Sequence, residues 1–165
     1  MLHRARPALS VVTSALLVLA GCADETPSTP GRATVLEVID GDTVLVDIDG
    51  RDEMVRLLGV DTPETVHPDR PVECFGPEAS TYTAELLPPG TMVDLERDIE
   101  ARDRFDRLLA HVRRSDDGLH VNLALIEAGM AEALVIEPNL ALAPELRAAA
   151  ARARSDEVGL WGACP

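Results

Sequence analysis

Short runs of alternating apolar and polar residues fill the first half of this chain, and helical spacing takes over in the second half. Ala33 to Ile39 and Thr43 to Ile48 are β-rich runs broken at Asp40-Gly41. Asp49-Gly50 follows, a pair suited to the positive φ angles of a two-residue hairpin turn. Arg51 to Val60 then reads as the third run. Thr91 to Glu96 alternates as a fourth strand and Leu108 to Arg113 as a fifth, with Ser115-Asp116-Asp117-Gly118 as its turn. Pro77 to Leu87 is a helix opened by proline in its first turn and closed by Pro88-Pro89-Gly90. Val121 to Met130 places Val121, Ala124, Leu125 and Ala128 on one face, with Gly129 as its stop. Pro144 to Ser155 is Ala- and Arg-rich, with Leu146, Ala149, Ala150 and Ala153 inward. Five strands and three helices in this order predict an α+β fold, a small antiparallel β-barrel with packed helices.

The chain before these elements has a different character. His3, Arg4 and Arg6 precede a short apolar run, Val11 to Ala20, so residues 1–21 read as an export signal. The run is short for a membrane span. It ends Leu19-Ala20-Gly21-Cys22, which resembles the lipobox of bacterial lipoproteins. That resemblance implies cleavage before Cys22, a lipid anchor on Cys22, and a protein held at the outer face of the cell membrane. Ordinary cleavage with secretion is the alternative. Residues 22–31 are polar and Pro-rich, as a tether would be. The globular domain is expected over 32–165.

Composition narrows the picture. The core has to be aliphatic, because aromatic residues are 2% of the chain. All 15 basic residues are arginine, set against 29 acidic ones, for a net charge of −14. A protein that coats nucleic acid by charge alone is excluded by that balance, but a local cationic pocket is not. If Cys22 carries lipid, Cys74 and Cys164 remain, and an exported pair suggests a disulfide closing a loop of about 90 residues. His67, His111 and His120 lack zinc spacing.

Two stretches carry candidate chemistry, Ile39-Asp40-Gly41-Asp42-Thr43 and Arg56 through Glu64 (RLLGVDTPE). Each sets carboxylates at the end of an apolar strand, where they cost free energy without a cationic partner. A hard divalent cation suits them, since it takes oxygens from Asp and from backbone carbonyls. The cation would hold a phosphate, with Arg56 on another side of it. Singly, Asp42 and Asp61 read as turn residues and Glu64 and Arg107 as solvated charges; Arg56 inside an apolar strand calls for a partner.

Together with GPEAS at 76–80, the loop from Asp103 to Leu109 and GLW at 159–161, these stretches resemble the thermonuclease family over Ala33 to Trp161. The resemblance implies a five-stranded OB-type barrel with three helices, acting as a monomer. It also implies calcium-dependent hydrolysis of phosphodiester bonds in DNA and/or RNA. Asp42, Asp61 and the Thr62 carbonyl would hold Ca2+, Glu64 would stand near the attacking water, and Arg56 and Arg107 would grip the scissile phosphate. Planar guanidinium forks bind two phosphate oxygens at once, which Lys does not. Arg70 and Arg104 are candidates for added phosphate contacts.

Two departures stand out. The stretch Ala133 to Pro138 lacks the aromatic residues on which the family stacks a base, an interaction worth roughly 1–3 kcal/mol. Phe105-Asp106 stands where the family commonly has Tyr-Gly, which puts a carboxylate beside Arg107 and a non-glycine residue where left-handed backbone is expected. These departures keep a second reading open: a barrel lipoprotein that binds nucleic acid or another ligand without cutting it.

Overall fold

The computed structural model describes residues 31–66, 69 and 71–164. The export signal, Cys22, all of the tether but Gly31, and His67 and Arg70 lie outside the described residues. The Asp49-Gly50 turn behaves as its chemistry requires. The two residues take φ of 53° and 80°, and Gly50 N donates to Asp47 Oδ1 at 3.2 Å. This turn joins β2 (Thr43–Ile48) to β3 (Arg51–Leu57) in register, Ile48 facing Arg51 and Thr43 facing Arg56. On its other edge β2 pairs with β1 (Gly31–Asp40).

The third run is not one strand. It breaks after Leu57, turns through Gly59 at φ 74°, and resumes as β4 (Gly59–Asp61). After it come α1 (Gly76–Leu86), β5 (Met92–Glu96), β6 (Leu108–Arg114) and α2 (Val121–Glu127). Then follow β7 (Glu132–Leu134), α3 (Ala143–Ser155) and the short α4 (Leu160–Ala163). β7, which the pattern does not predict, pairs with β4 in a separate two-stranded sheet, Asp61 opposite Glu132.

The barrel closes in the order β1-β2-β3-β6-β5 and back to β1. The barrel and three main helices are as expected, but the strands are not all antiparallel: β3 and β6 run parallel. Parity requires this, since five strands in a ring cannot alternate direction all the way round. The long connection through α1 and β5 makes the parallel pair possible, because a parallel pair needs a crossover.

Val35, Val44, Val46, Val55, Leu57, Val93 and Val112 fill the barrel, and Leu125, Ile126 and Leu146 pack with them, all essentially inaccessible. Burial of each such side chain contributes about 1.5–3 kcal/mol. None of the four aromatic residues is buried, in keeping with an aliphatic core. α2 turns Asn122 inward as well as Val121 and Leu125. Asn122 Oδ1 accepts from Val112 N at 2.8 Å and its Nδ2 donates to Leu58 O at 2.9 Å, so one buried amide pins the β3–β4 break to β6. Gly129, at φ 66°, ends the α2 region. No described helix is long and apolar enough to cross a membrane. Cys74 and Cys164 form the expected disulfide, their Cα atoms 6.0 Å apart.

Candidate active site

The β1–β2 corner and the β3–β4 break meet at one end of the barrel. Arg56, on β3, reaches across the break. Its Nη1 donates to Leu57 O at 2.9 Å and to Val60 O at 2.5 Å. Its Nη2 lies 2.9 Å from Asp42 Oδ2 and 3.1 Å from Asp61 Oδ1. One nitrogen thus bridges two carboxylates, one from the β1–β2 turn and one from β4, and their oxygens stand no farther apart than about 6 Å. Asp42 also accepts from Thr43 Oγ1 at 2.9 Å and, more weakly, from Thr62 N at 3.3 Å. Burial raises the Asp42 pKa from its ordinary value, more than Arg56 lowers it.

Gly41 lets the two halves close. A Cβ there would sit 2.7 Å from Thr62 Oγ1 and 2.8 Å from Thr62 Cβ. Among the described residues the buried Thr62 hydroxyl has no hydrogen-bond partner.

Arg107 arrives from the loop before β6. Its Nε and Nη2 both lie 2.7 Å from Asp103 Oδ2, and its Nη1 is 3.5 Å from Thr43 Oγ1. Thr43 thus links Arg107 to Asp42 and so to Arg56. Burial opposes the Asp103 charge, but hydrogen bonds from the Arg107 side chain and from the backbone of Arg107 and Phe105 bring its pKa below normal. Asp106 does take left-handed backbone, at φ 66°. Its carboxylate faces Arg102 at 3.7 Å, so the expected interference with Arg107 comes from Asp103 instead.

Arg56, Arg107 and Arg104 line one cleft of about 460 Å3, walled by Leu109, Leu134, Ile136 and Phe105. Arg104 stacks over the Phe105 ring at 4.6 Å. Asp61 and Thr62 open on a neighbouring cleft that Trp161 and Arg154 also line.

Glu64 approaches less directly. Its Oε1 accepts from Thr65 N at 3.1 Å and from Val66 N at 2.9 Å. Its side chain hydrogen-bonds Asp40, whose pKa burial raises. Asp40 also accepts from Thr65 Oγ1 at 2.6 Å and Gly41 N at 2.9 Å.

Sequence reasoning therefore identified Asp42, Arg56, Asp61, Thr62 and Arg107 as a group that the fold does assemble. It missed Thr43 and Asp103, which hold Asp42 and Arg107, and Asp40 and Glu73, which hold Glu64 and its loop. Asp40 and Thr43 were visible within the IDGDT stretch, and Asp103 four residues before Arg107. Nothing local marks Glu73, which grips the Glu64 backbone from nine residues away.

The donor set suits a hard cation. Among the described residues no three His, Cys, Asp or Glu side chains gather as a ready-made metal cluster. Two carboxylates that share one guanidinium offer the hard oxygen donors that suit a divalent cation such as Ca2+.

A closed barrel that gathers two guanidinium groups and paired carboxylates at one end belongs to the class of proteins equipped to handle a phosphate. Residues 54–163 match the staphylococcal nuclease homologue family. A thermonuclease from Staphylococcus intermedius is 42% identical over 127 residues, 77% of this chain and 74% of that protein. One from Staphylococcus hyicus is 39% identical over 77% of this chain and 73% of its own length. The endonuclease YncB of Bacillus subtilis (strain 168) is 39% identical over 79% of this chain and 61% of its own length. The chain belongs to the staphylococcal nuclease family and is a thermonuclease-like nuclease.

Proposed function

We propose that this protein is a calcium-dependent nuclease that hydrolyses phosphodiester bonds in DNA and/or RNA. It acts as a monomer outside the cell, anchored to the membrane through a lipid on Cys22. The observation that carries the catalytic reading is the single Arg56 nitrogen shared by Asp42 and Asp61, with Arg107 joined to the same group through Thr43. Two guanidinium groups beside paired carboxylates are the parts that phosphodiester hydrolysis needs.

Asp42, Asp61 and the Thr62 carbonyl would hold Ca2+, which when bound polarises the phosphate and favours ionisation of nearby water. Glu64 orients the attacking water and accepts its proton. Arg56 and Arg107 bind the non-bridging oxygens of the scissile phosphate, where charge redistributes in the transition state. To do so, Arg107 trades part of its contact with Asp103 for substrate. Phe105, Leu134 and Ile136 offer an apolar wall for the adjoining nucleoside in place of the missing aromatics.

Plasmid nicking by purified protein with and without calcium tests this reading. Calcium is expected to restore activity after chelation, and Asp42→Ala to abolish it; equal cleavage in chelator overturns the calcium assignment. For the anchor, wild type is expected to partition with membranes and Cys22→Ser to stay soluble. An unmodified, soluble mature wild type by mass spectrometry refutes it.

One feature favours the non-cutting barrel: Arg56 and Arg107 are both already engaged by carboxylates. Nicking assays separate the two readings.

A further inference from the structure

We infer that Glu73 is a positioning residue for Glu64, and that the Cys74–Cys164 disulfide fixes Glu73, so that reduction slows cleavage. This rests on the proposed role of Glu64. The backbone of Glu64 is gripped from both sides by one residue: its N–H donates to Glu73 Oε2 at 3.0 Å, and its carbonyl accepts from Glu73 N at 2.9 Å. The Glu73 carbonyl in turn accepts from Gly76 N, at the start of α1, at 3.1 Å. That helix start lies directly on the catalytic segment. A Cβ at Gly76 would sit 2.8 Å from Thr65 Cγ2 and 3.1 Å from the carbonyl oxygens of Glu64 and Pro63. Movement of residues 73–76 is therefore transmitted to 63–65, the chain between the Thr62 carbonyl and Glu64.

Cys74 stands inside this grip, and its partner Cys164 is tied back to the core. Cys164 N donates to Leu160 O at 2.9 Å, and Leu160 N donates to Gly129 O at 2.8 Å. The disulfide thus braces the Glu64–Glu73 pair against the end of the α2 region.

Cys74 is exposed, so a small dithiol reaches it. Exchange transfers two electrons to the protein: the Cys74–Cys164 bond breaks, both sulfurs become thiols, and the reductant closes to its cyclic disulfide.

The test measures single-turnover cleavage and KM on a short oligonucleotide in saturating calcium, below the melting temperature of each variant, and amide hydrogen exchange at Glu64. Glu73→Ala is expected to lower the rate about ten- to a hundredfold with little change in KM, the range for a misplaced catalytic group. Glu73→Gln keeps an oxygen that accepts from the Glu64 N–H, and is expected to retain most of the rate. Dithiothreitol, or Cys74→Ser with Cys164→Ser, is expected to slow the wild type but to add little in the Glu73→Ala background. In each slowed form the Glu64 amide exchanges faster while the Val55 and Val112 amides of the barrel do not.

Wild-type rate and wild-type Glu64 exchange in Glu73→Ala overturn the inference, as does a Gln variant as slow as the Ala one. Glu64→Ala separates the two levels. If it cleaves at the wild-type rate, the catalytic role of Glu64 fails and the positioning inference falls with it. If it is inactive while Glu73→Ala is normal, only the positioning inference fails.

Discussion

Replacing Arg56 and replacing Arg107 are expected to have different consequences, although both side chains are assigned to the same phosphate. Arg56 is 15% exposed and Asp42 10%. Besides bridging Asp42 and Asp61, Arg56 binds two backbone carbonyls at the β3–β4 break. Arg56→Met leaves Asp42 as a buried charge without its cation, which costs about 3–5 kcal/mol. That is a large part of the roughly 5–15 kcal/mol that holds a domain folded. Arg107 is 29% exposed. Its partner Asp103 keeps hydrogen bonds from the Phe105 and Arg107 backbone whatever side chain stands at 107. Arg107→Met is therefore expected to cost about 1 kcal/mol or less in stability. In cleavage each loses a preorganised charge contact worth about 3–4 kcal/mol, a hundred- to thousandfold in rate, and Lys rescues neither well. Urea unfolding, read by the fluorescence of the lone Trp161, gives the stabilities, and single-turnover cleavage of an oligonucleotide gives the rates. Equal unfolding midpoints for the two Met variants would refute the brace assigned to Arg56. Near wild-type rates in both Lys variants would refute the phosphate clamp.

Gly41→Ala is expected to destabilise the protein by about 1–3 kcal/mol, because its Cβ lands on Thr62, and to weaken calcium binding by displacing residue 62; unchanged stability and calcium affinity by titration calorimetry would contradict this. Burial pushes the His111 pKa down to about 4, with His120 nearby adding to the effect. The unfolded chain takes up that proton first, so stability is full above about pH 6.5 and falls as pH drops toward 4, by up to about 3 kcal/mol. His111→Gln is expected to flatten that dependence, and melting curves of equal pH slope for both proteins would count against it. Asp106→Gly is expected to leave cleavage unchanged, since Asp106 faces Arg102, whereas Asp103→Ala slows it by releasing the Arg107 loop. A rise in rate for Asp106→Gly would restore Asp106 as the residue that restrains Arg107.

The features legible in the sequence were those that local chemistry determines. Alternation marked the barrel strands, Asp49-Gly50 the β2–β3 turn, and Leu146, Ala149 and Ala153 the buried face of α3. The site carboxylates showed because polar residues interrupt apolar runs there. What stayed hidden depends on distant partners. β4 and β7 are three residues each, too short for a period to register. The parallel β3–β6 pair follows from closing an odd ring, not from either strand. Asn122 looks like an ordinary helix polar residue until Val112 N and Leu58 O arrive to meet it. Glu73 is one acid among many until the disulfide and α1 bring it back to Glu64.

Charge pairing bears on how so acidic a protein handles a polyanion. Several arginines away from the cleft are matched by a carboxylate: Arg102 by Glu53, Arg113 by Glu96, Arg114 by Asp117, Arg152 by Glu127. These pairs contribute little net field, and the unmatched acids repel phosphate over the rest of the surface. Long-range attraction is therefore not what brings substrate in. Close to the cleft the balance changes. Among the described residues Arg104 rests on Phe105 and not on an acid, and Arg107 has one acidic partner, Asp103. Arg56 balances two carboxylates that a bound cation would otherwise have to neutralise. If Asp42 and Asp61 hold a divalent cation as proposed, it would supply positive charge to both carboxylates and leave Arg56 able to turn toward phosphate. Arg56 would then be a brace in the free protein and a binding group with substrate. On the proposed calcium-dependent reading, the acidic surface and a cation held at Asp42 and Asp61 would work together, confining phosphate binding to the one cleft where cation and guanidinium groups meet.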